Sequence, residues 1–335
     1  MYMIFCAVVP VFILILIGMI VDRLQLLPES TPQSLSLFVL NVSIPCLTFH
    51  IMCEAPLDRL LEWRWWLGVL GVQLLFMGLF YLLDRRRGEE SGPAVISSLS
   101  VSFCNVGFVG LPVIMNVFEN DAEALTVAGL MVVAANVLVI IAQMALIAWS
   151  RQRRGEAAPE ALPPARRAWL FFRRYILSNA VLVSTLAGLA VPVLGLTVWE
   201  PLDRAVTMLG YLAPGCMLFI LGLSLRANVA EAVKARALSF GRQLWIGAWR
   251  LAGMPLITMA ALLALGIDPK WVCVTTIASA CGTAVFVSAL AQIYRVSAGQ
   301  ACLTVALTNL LSLFSITGVI WLLNRLALLP AGLAF

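Results

Sequence analysis

The chain has 335 residues, 62% of them hydrophobic and 12% charged, with a formal net charge of +5. A soluble domain carries roughly a quarter charged residues, so a fully solvated exterior is excluded and lipid must meet most of the surface. At ~20 residues per crossing, the length holds about ten helices and excludes a sizeable soluble domain.

Hydropathy places the spans at 3–21, 34–53, 64–83, 93–118, 125–149, 174–193, 203–225, 243–265, 270–293 and 300–323. The first run has no basic residue before Arg23 and no small-residue cleavage pattern, so it reads as a retained span rather than a signal peptide. Charge collects in the gaps. With the N-terminus outside, inner loops hold 16 Lys and Arg and outer segments hold 5. The positive-inside rule therefore predicts that both termini lie outside. The gap at 150–173 combines arginines with Pro159, Pro163 and Pro164. It reads as a basic cytoplasmic linker between halves at 1–149 and 174–335, with docking onto anionic lipid as the alternative.

The eight cysteines include no CxxC pair, and His50 is the only histidine. A disulfide framework, a zinc site and a catalytic metal are therefore not expected. Small apolar cysteines between packed helices are the simpler reading. No cofactor and no catalytic residue is predicted.

The two halves echo each other. Ile17-Gly18 answers to Ala187-Gly188, and Pro45-Cys46-Leu47-Thr48-Phe49 to Pro214 with Cys216-Met217-Leu218-Phe219. Phe108-Val109 answers to Phe286-Val287, and Ala135-Asn136 to Thr308-Asn309. The offsets are 170, 169, 178 and 173. Five spans per half is an odd number, so the second copy enters from the opposite side. The predicted fold is an all-α polytopic membrane protein of ten helices in two inverted five-helix repeats, with a site near the midplane.

The fourth span contains Asn105-Val106-Gly107-Phe108-Val109-Gly110-Leu111-Pro112. Proline costs ~3 kcal/mol and glycine ~1 kcal/mol inside a helix. Two half-helices joined by an unwound segment are expected, with Pro112 in the first turn of the second. Such backbone survives in a membrane only against protein or a wet cavity. The ninth span carries a weaker break at Ala280-Cys281-Gly282-Thr283-Ala284, without proline. Facing breaks would bring two helix N-termini and two C-termini together, a site for an anion and for a cation. A Gly/Pro kink that eases packing is the alternative.

Asn41, Asn105, Asn136, Asn179 and Asn309 lie in or near spans. Interhelical hydrogen bonding is the default role for each. Asn105 abuts the break, and Asn136 and Asn309 occupy repeat-related positions. Arg250 lies eight residues beyond Arg242, just over two turns and about 12 Å inward. Snorkelling to the cytoplasmic surface is the favoured reading. In the other reading Arg250 offers its fork to a carboxylate substrate, a possible anion contact. His50 reads as interfacial. No Asp or Glu lies deep in any predicted span, so the usual carboxylate proton relay is missing.

These residues resemble the auxin efflux carrier family in its bacterial branch. The likeness covers nearly the whole chain. It is carried by Pro10-Val11-Phe12 through Gly18, by Leu37 through Pro45 with Phe49, and most specifically by Ser102-Phe103-Cys104-Asn105-Val106-Gly107-Phe108-Val109-Gly110-Leu111-Pro112. Phe219 to Gly222, and Ala291 to Tyr294, fit less sharply. The resemblance implies crossed, broken fourth and ninth helices, a scaffold and a mobile transport domain, and elevator-like alternating access. It also implies small organic anions as substrates, such as malonate, malate or an auxin-like acid, and the bacterial cytoplasmic membrane as location. The family often has proline where this chain has Gly282, and Asn-Pro where it has Asn179-Ala180.

The expected substrate-binding residues are Asn105, Gly107, Gly110, Pro112, Asn136, Gly282, Thr283 and Asn309. The expected partners are a small organic anion and the bilayer, without nucleic acid; a homodimer stays open. A sodium-coupled bile-acid-type symporter and a non-transporting sensor are the rivals. A membrane-embedded enzyme finds no support, with no HExxH pair and no buried aspartate dyad.

Overall fold

A computed structural model describes residues 2–54, 62–155, 180–234 and 240–329. Most of the expected basic linker, from 156 on, and Asn179 lie outside the described residues. The described chain is helical, with a single isolated β-bridge between Cys104 and Thr283.

The helices in order are α1 (Tyr2–Arg23), α2 (Thr31–Cys53), α3 (Trp63–Arg86), α4a (Ser91–Ser102) and α4b (Val106–Val117). Then come α5 (Ala122–Arg153), α6 (Ala180–Val193), α7 (Glu200–Gly210 and Leu212–Lys234, abutting at Tyr211) and α8 (Gly241–Ala264). The last are α9a (Pro269–Ser279), α9b (Phe286–Ile293) and α10 (Ala298–Arg325). Among the described residues, six helices are long and apolar enough to cross a membrane: α2, α3, α5, α7, α8 and α10. Leu67, Leu75, Trp199, Met208 and Phe314 are exposed on the outside, as a surface solvated by lipid allows.

Three helices widen into a π turn just before a proline: Val39–Ser43 before Pro45, Val106–Gly110 before Pro112, and Trp249–Gly253 before Pro255. Proline has no N–H and its ring presses on the carbonyl four residues back. The wide turn relieves that clash. In α8 the carbonyl four residues before Pro255 belongs to Leu251, and the Ser315 hydroxyl donates to it.

Two sets of helices pack within themselves. In the first, α1 lies on α7 and α2 on α6. A Cβ on Gly18 would stand 2.3 Å from the Phe219 carbonyl oxygen, and one on Gly188 would stand 2.4 Å from that of Phe49. Glycine is therefore required at both contacts. The two contacts are related by the same offset of 170 residues, with partners exchanged. Thr48 and Ser184 share a hydrogen bond of 2.8 Å between α2 and α6. His50, part-buried, places Nδ1 3.2 Å from Asp203 and from Thr207 in α7.

The second set joins α3, α4, α5, α8, α9 and α10. Trp65 is fully buried, donates to the Thr275 hydroxyl at 2.9 Å and meets Trp271 edge-on at 5.7 Å. Trp271 in turn donates to Glu123 at 3.0 Å. At the other end of α3, Arg242 clamps buried Asp84 at 2.8 Å and Glu89 at 2.7 Å. The Thr304 hydroxyl donates to Gln243 between α10 and α8.

Candidate functional site

The apolar runs of α4 and α9 are both interrupted. The ninth-span break, which the sequence marks less strongly, is as complete as the fourth. Its lost helical bonds are replaced by pairing. Asn105 N–H donates to the Gly282 carbonyl at 2.9 Å, and Ala284 N–H donates to the Phe103 carbonyl at 3.0 Å. The two extended segments thus run antiparallel through Cys104 and Thr283. Gly282 is needed for another reason: a Cβ there would stand 2.7 Å from Asn309 N. α10 comes too close to the break for any side chain.

Carbonyls at the ends of α4a and α9a lose their helical partners, and side chains meet several of them. Thr283 Oγ1 donates to Ser100 O at 2.7 Å. Arg250 donates from Nη1 to Val101 O at 2.9 Å, from Nη2 to Ser279 O at 2.6 Å and from Nε to Cys281 O at 3.1 Å. Arg250 is completely buried, so the snorkelling expectation is wrong. The residue sits in the wide turn before Pro255, and backbone carbonyls solvate its charge in place of water. With its guanidinium engaged there, and with Arg250 absent from the lining of the cavity described next, the carboxylate fork also falls away.

The opposite ends, the starts of α4b and α9b, border one cavity of about 350 Å³. Its wall includes Asn105, Val106, Gly107 and Phe108 on one side and Ala284, Val285 and Phe286 on the other. The first helical bonds of α4b run from Val109 and Gly110 to Asn105 O, and the first of α9b from Val287 to Ala284 O. Helical geometry therefore supplies no acceptor to the N–H groups of Val106, Gly107, Phe108, Val285 and Phe286. Each helix start carries roughly half a positive charge.

Asn105, Gly107 and Asn136 line this cavity; Gly110, Pro112, Gly282, Thr283 and Asn309 do not. The last three support it from behind. Asn309 accepts from Asn105 Nδ2 at 2.8 Å and donates to Thr283 O at 2.8 Å. Thr308 Oγ1 accepts from Thr283 N at 2.9 Å. Asn136 and Asn309 each also donate to the carbonyl four residues back, Val132 and Val305, at 2.8 Å. Sequence reasoning passed over Gln143 and left Asn41 as packing glue, yet both face the cavity. Gln143 was legible: it stands two helical turns past Asn136, on the same face.

A family model described as a membrane transport protein matches residues 3–320. The chain belongs to this family, that of the auxin efflux carriers. It is 28% identical over 330 residues, 97% of each chain, to a protein of Rhizobium meliloti (strain 1021) described as a "Putative malonate transporter". It is also 31% identical over 119 residues to an "Uncharacterized transporter" of Methanothermobacter thermautotrophicus, covering 34% of this chain and 38% of that one. These names describe transporters rather than enzymes.

In this auxin-efflux-type carrier a second cavity, of about 340 Å³, lies beyond the paired breaks. Pro10, Leu14, Pro112, Asn116, Asn120 and Tyr211 help to line it. Asn120 precedes the start of α5, whereas Gln143 of the first cavity lies about 30 Å along that helix at 1.5 Å per residue. The cavities therefore sit toward opposite ends of the molecule. Both lie between the two helix sets: Leu40 and Val181 face Asn105 and Asn136 in one, and Pro10 and Tyr211 face Pro112 and Asn116 in the other.

Proposed function

We propose that this carrier moves a small carboxylate across a bacterial cytoplasmic membrane, bound in the cavity bordered by Asn105, Gly107 and Asn136. The observation that carries the reading is the convergence of two helix starts on one cavity. Five residues whose backbone N–H groups have no helical acceptor line it, beside four side-chain amides, Asn41, Asn105, Asn136 and Gln143. Amides fixed in a membrane interior are pre-aimed donors for an anion and need no lysine or arginine. A volume of about 350 Å³ suits a small organic acid. Malonate, malate and an auxin-like acid are the candidates, and the relative named for malonate favours the first.

The full architecture of this reading is ten spans in two inverted repeats, 1–149 and 174–335, with α4 and α9 crossing at the midplane and both termini outside. The exchanged contacts of Gly18 with Phe219 and Gly188 with Phe49 support the inverted symmetry, as does the reciprocal pairing of 103–105 with 282–284. Loop charge supports the orientation. Elevator-like movement is supported by two helix sets, each braced internally, with the cavities between them. α1, α2, α6 and α7 would form the scaffold and the other helices the moving body. The cavity at Asn136 and Gln143 then faces the cytoplasm.

The test is uptake of labelled malonate, malate and indole-3-acetate into proteoliposomes. A Cβ on Gly107 meets nothing within 4 Å, so Gly107→Val fills the cavity without disturbing the backbone. Uptake of at least one acid, lowered about tenfold or more (~1.4 kcal/mol) by Asn105→Ala and by Gly107→Val, is expected. Unchanged rates in both variants would place the substrate elsewhere.

A further inference from the structure

The carbonyl side of the paired breaks is as polar as the amide side, but it is already occupied. Val101 and Ser279 lie in the last turns of α4a and α9a, and each helix end carries roughly half a negative charge. Together they ask for about one positive charge. Unwound carbonyls and half-helix C-termini are the donor set that takes up a coupling cation in carriers built from broken helices. Here the guanidinium of Arg250 fills that place, bonded to Val101, Ser279 and Cys281 at 2.6–3.1 Å. Among the described residues no carboxylate lies within ion-pair distance of it. Three backbone carbonyls accept from it, the groups that would otherwise ligate a metal ion.

We infer that Arg250 is the resident cation of this crossing, holding the position an exchangeable sodium ion would need, so that solute movement is not coupled to sodium there. An arginine keeps its proton at any physiological pH, and its tether prevents exchange. The charge balance at the breaks is then the same on every trip of the carrier. A free alkali-metal cation has neither the carbonyls nor the space. The transport half of this inference rests on the proposed function; the occupancy half does not.

The experiment uses the purified full chain. Melting of the wild type is compared in sodium, potassium and choline chloride at equal ionic strength, and malonate uptake is measured in the same salts. Equal Tm and equal uptake across the salts are expected. Arg250→Ala should lower Tm by roughly 5 °C or more, and millimolar methylguanidinium, unlike choline, should restore much of that loss. A saturable rise of wild-type Tm or uptake with sodium overturns the inference. So does a folded Arg250→Ala protein that ignores methylguanidinium. If Arg250→Ala does not fold, the wild-type salt series still decides. If no acid is transported, the proposed function fails while the melting comparison still tests the occupancy of the site.

Discussion

Asn105 Nδ2 lies 2.8 Å from Asn309 Oδ1, and this buried bond ties the break in α4 to the middle of α10. The same Asn309 holds the carbonyl of Thr283 in the other break. One side chain thus fixes both halves of the candidate site relative to each other. Asn309→Ala should leave the Asn105 amide and the Thr283 carbonyl short of partners. The expected loss is about 1–3 kcal/mol of stability, read as a lower Tm, together with a fall in uptake. Because the two asparagines share one bond, Asn105→Ala added to Asn309→Ala should cost less than the sum of the single changes.

Glycines at the two breaks should respond in opposite ways to a methyl group. At Gly282 the added carbon would meet the backbone of Thr308 and Asn309 at 2.7 Å, and backbone cannot move aside as a side chain can. Gly282→Ala is expected to push α10 off the break, at about 1–3 kcal/mol for overpacking. Gly107→Ala meets only open cavity and should melt like the wild type. Equal melting of the two variants would contradict this arrangement.

The Asp121–Lys270 cluster at the start of α5 gives a pH dependence. Asp121 caps α5 through Ala124 N–H at 2.9 Å and pairs with Lys270 at 2.7 Å. Burial opposes its charge, but Lys270 and the Ala124 and Glu123 amides outweigh burial and hold the carboxyl below the ordinary range. A lowered folded-state value means that the stabilisation is complete above the unfolded value. It is lost as pH falls through the folded one. Melting should be insensitive to this group near neutrality and weaken only below about pH 4. With Asp121 partly exposed, the pair is worth roughly 0.2–1 kcal/mol. Asp121→Asn, which keeps a capping side chain, should remove this acid-range component while leaving neutral-pH melting within about 1 kcal/mol.

At the opposite end, Asp84 is nearly buried and depends on Arg242. Removing the arginine leaves the carboxylate only the exposed Arg87, 3.9 Å away. Arg242→Ala should cost about 3 kcal/mol, and Arg242→Ala with Asp84→Asn should recover part of it. No recovery in the double variant would mean that Arg242 acts through Glu89 alone.

The six helices long and apolar enough to cross a membrane, the charge between them and the fourth-span break were legible in the sequence, because each rests on local chemistry. Twenty apolar residues need lipid wherever they fold, and a Gly-x-x-Gly-x-Pro stretch is a poor helix in any context. Asn105, Gly107 and Asn136 could be singled out because polar or flexible residues stand out within an apolar run. The role of Arg250 could not be read this way. The sequence placed it beside Arg242 and suggested a route to the surface, whereas its three acceptors come from segments 29 to 149 residues away. The depth of the ninth break, the need for glycine at 282 and the separation of cavity-lining residues from their supports are likewise tertiary. A backbone carbonyl looks the same at every position in a sequence. Only packing decides which carbonyls lose their helical partners and which distant side chain makes up the loss.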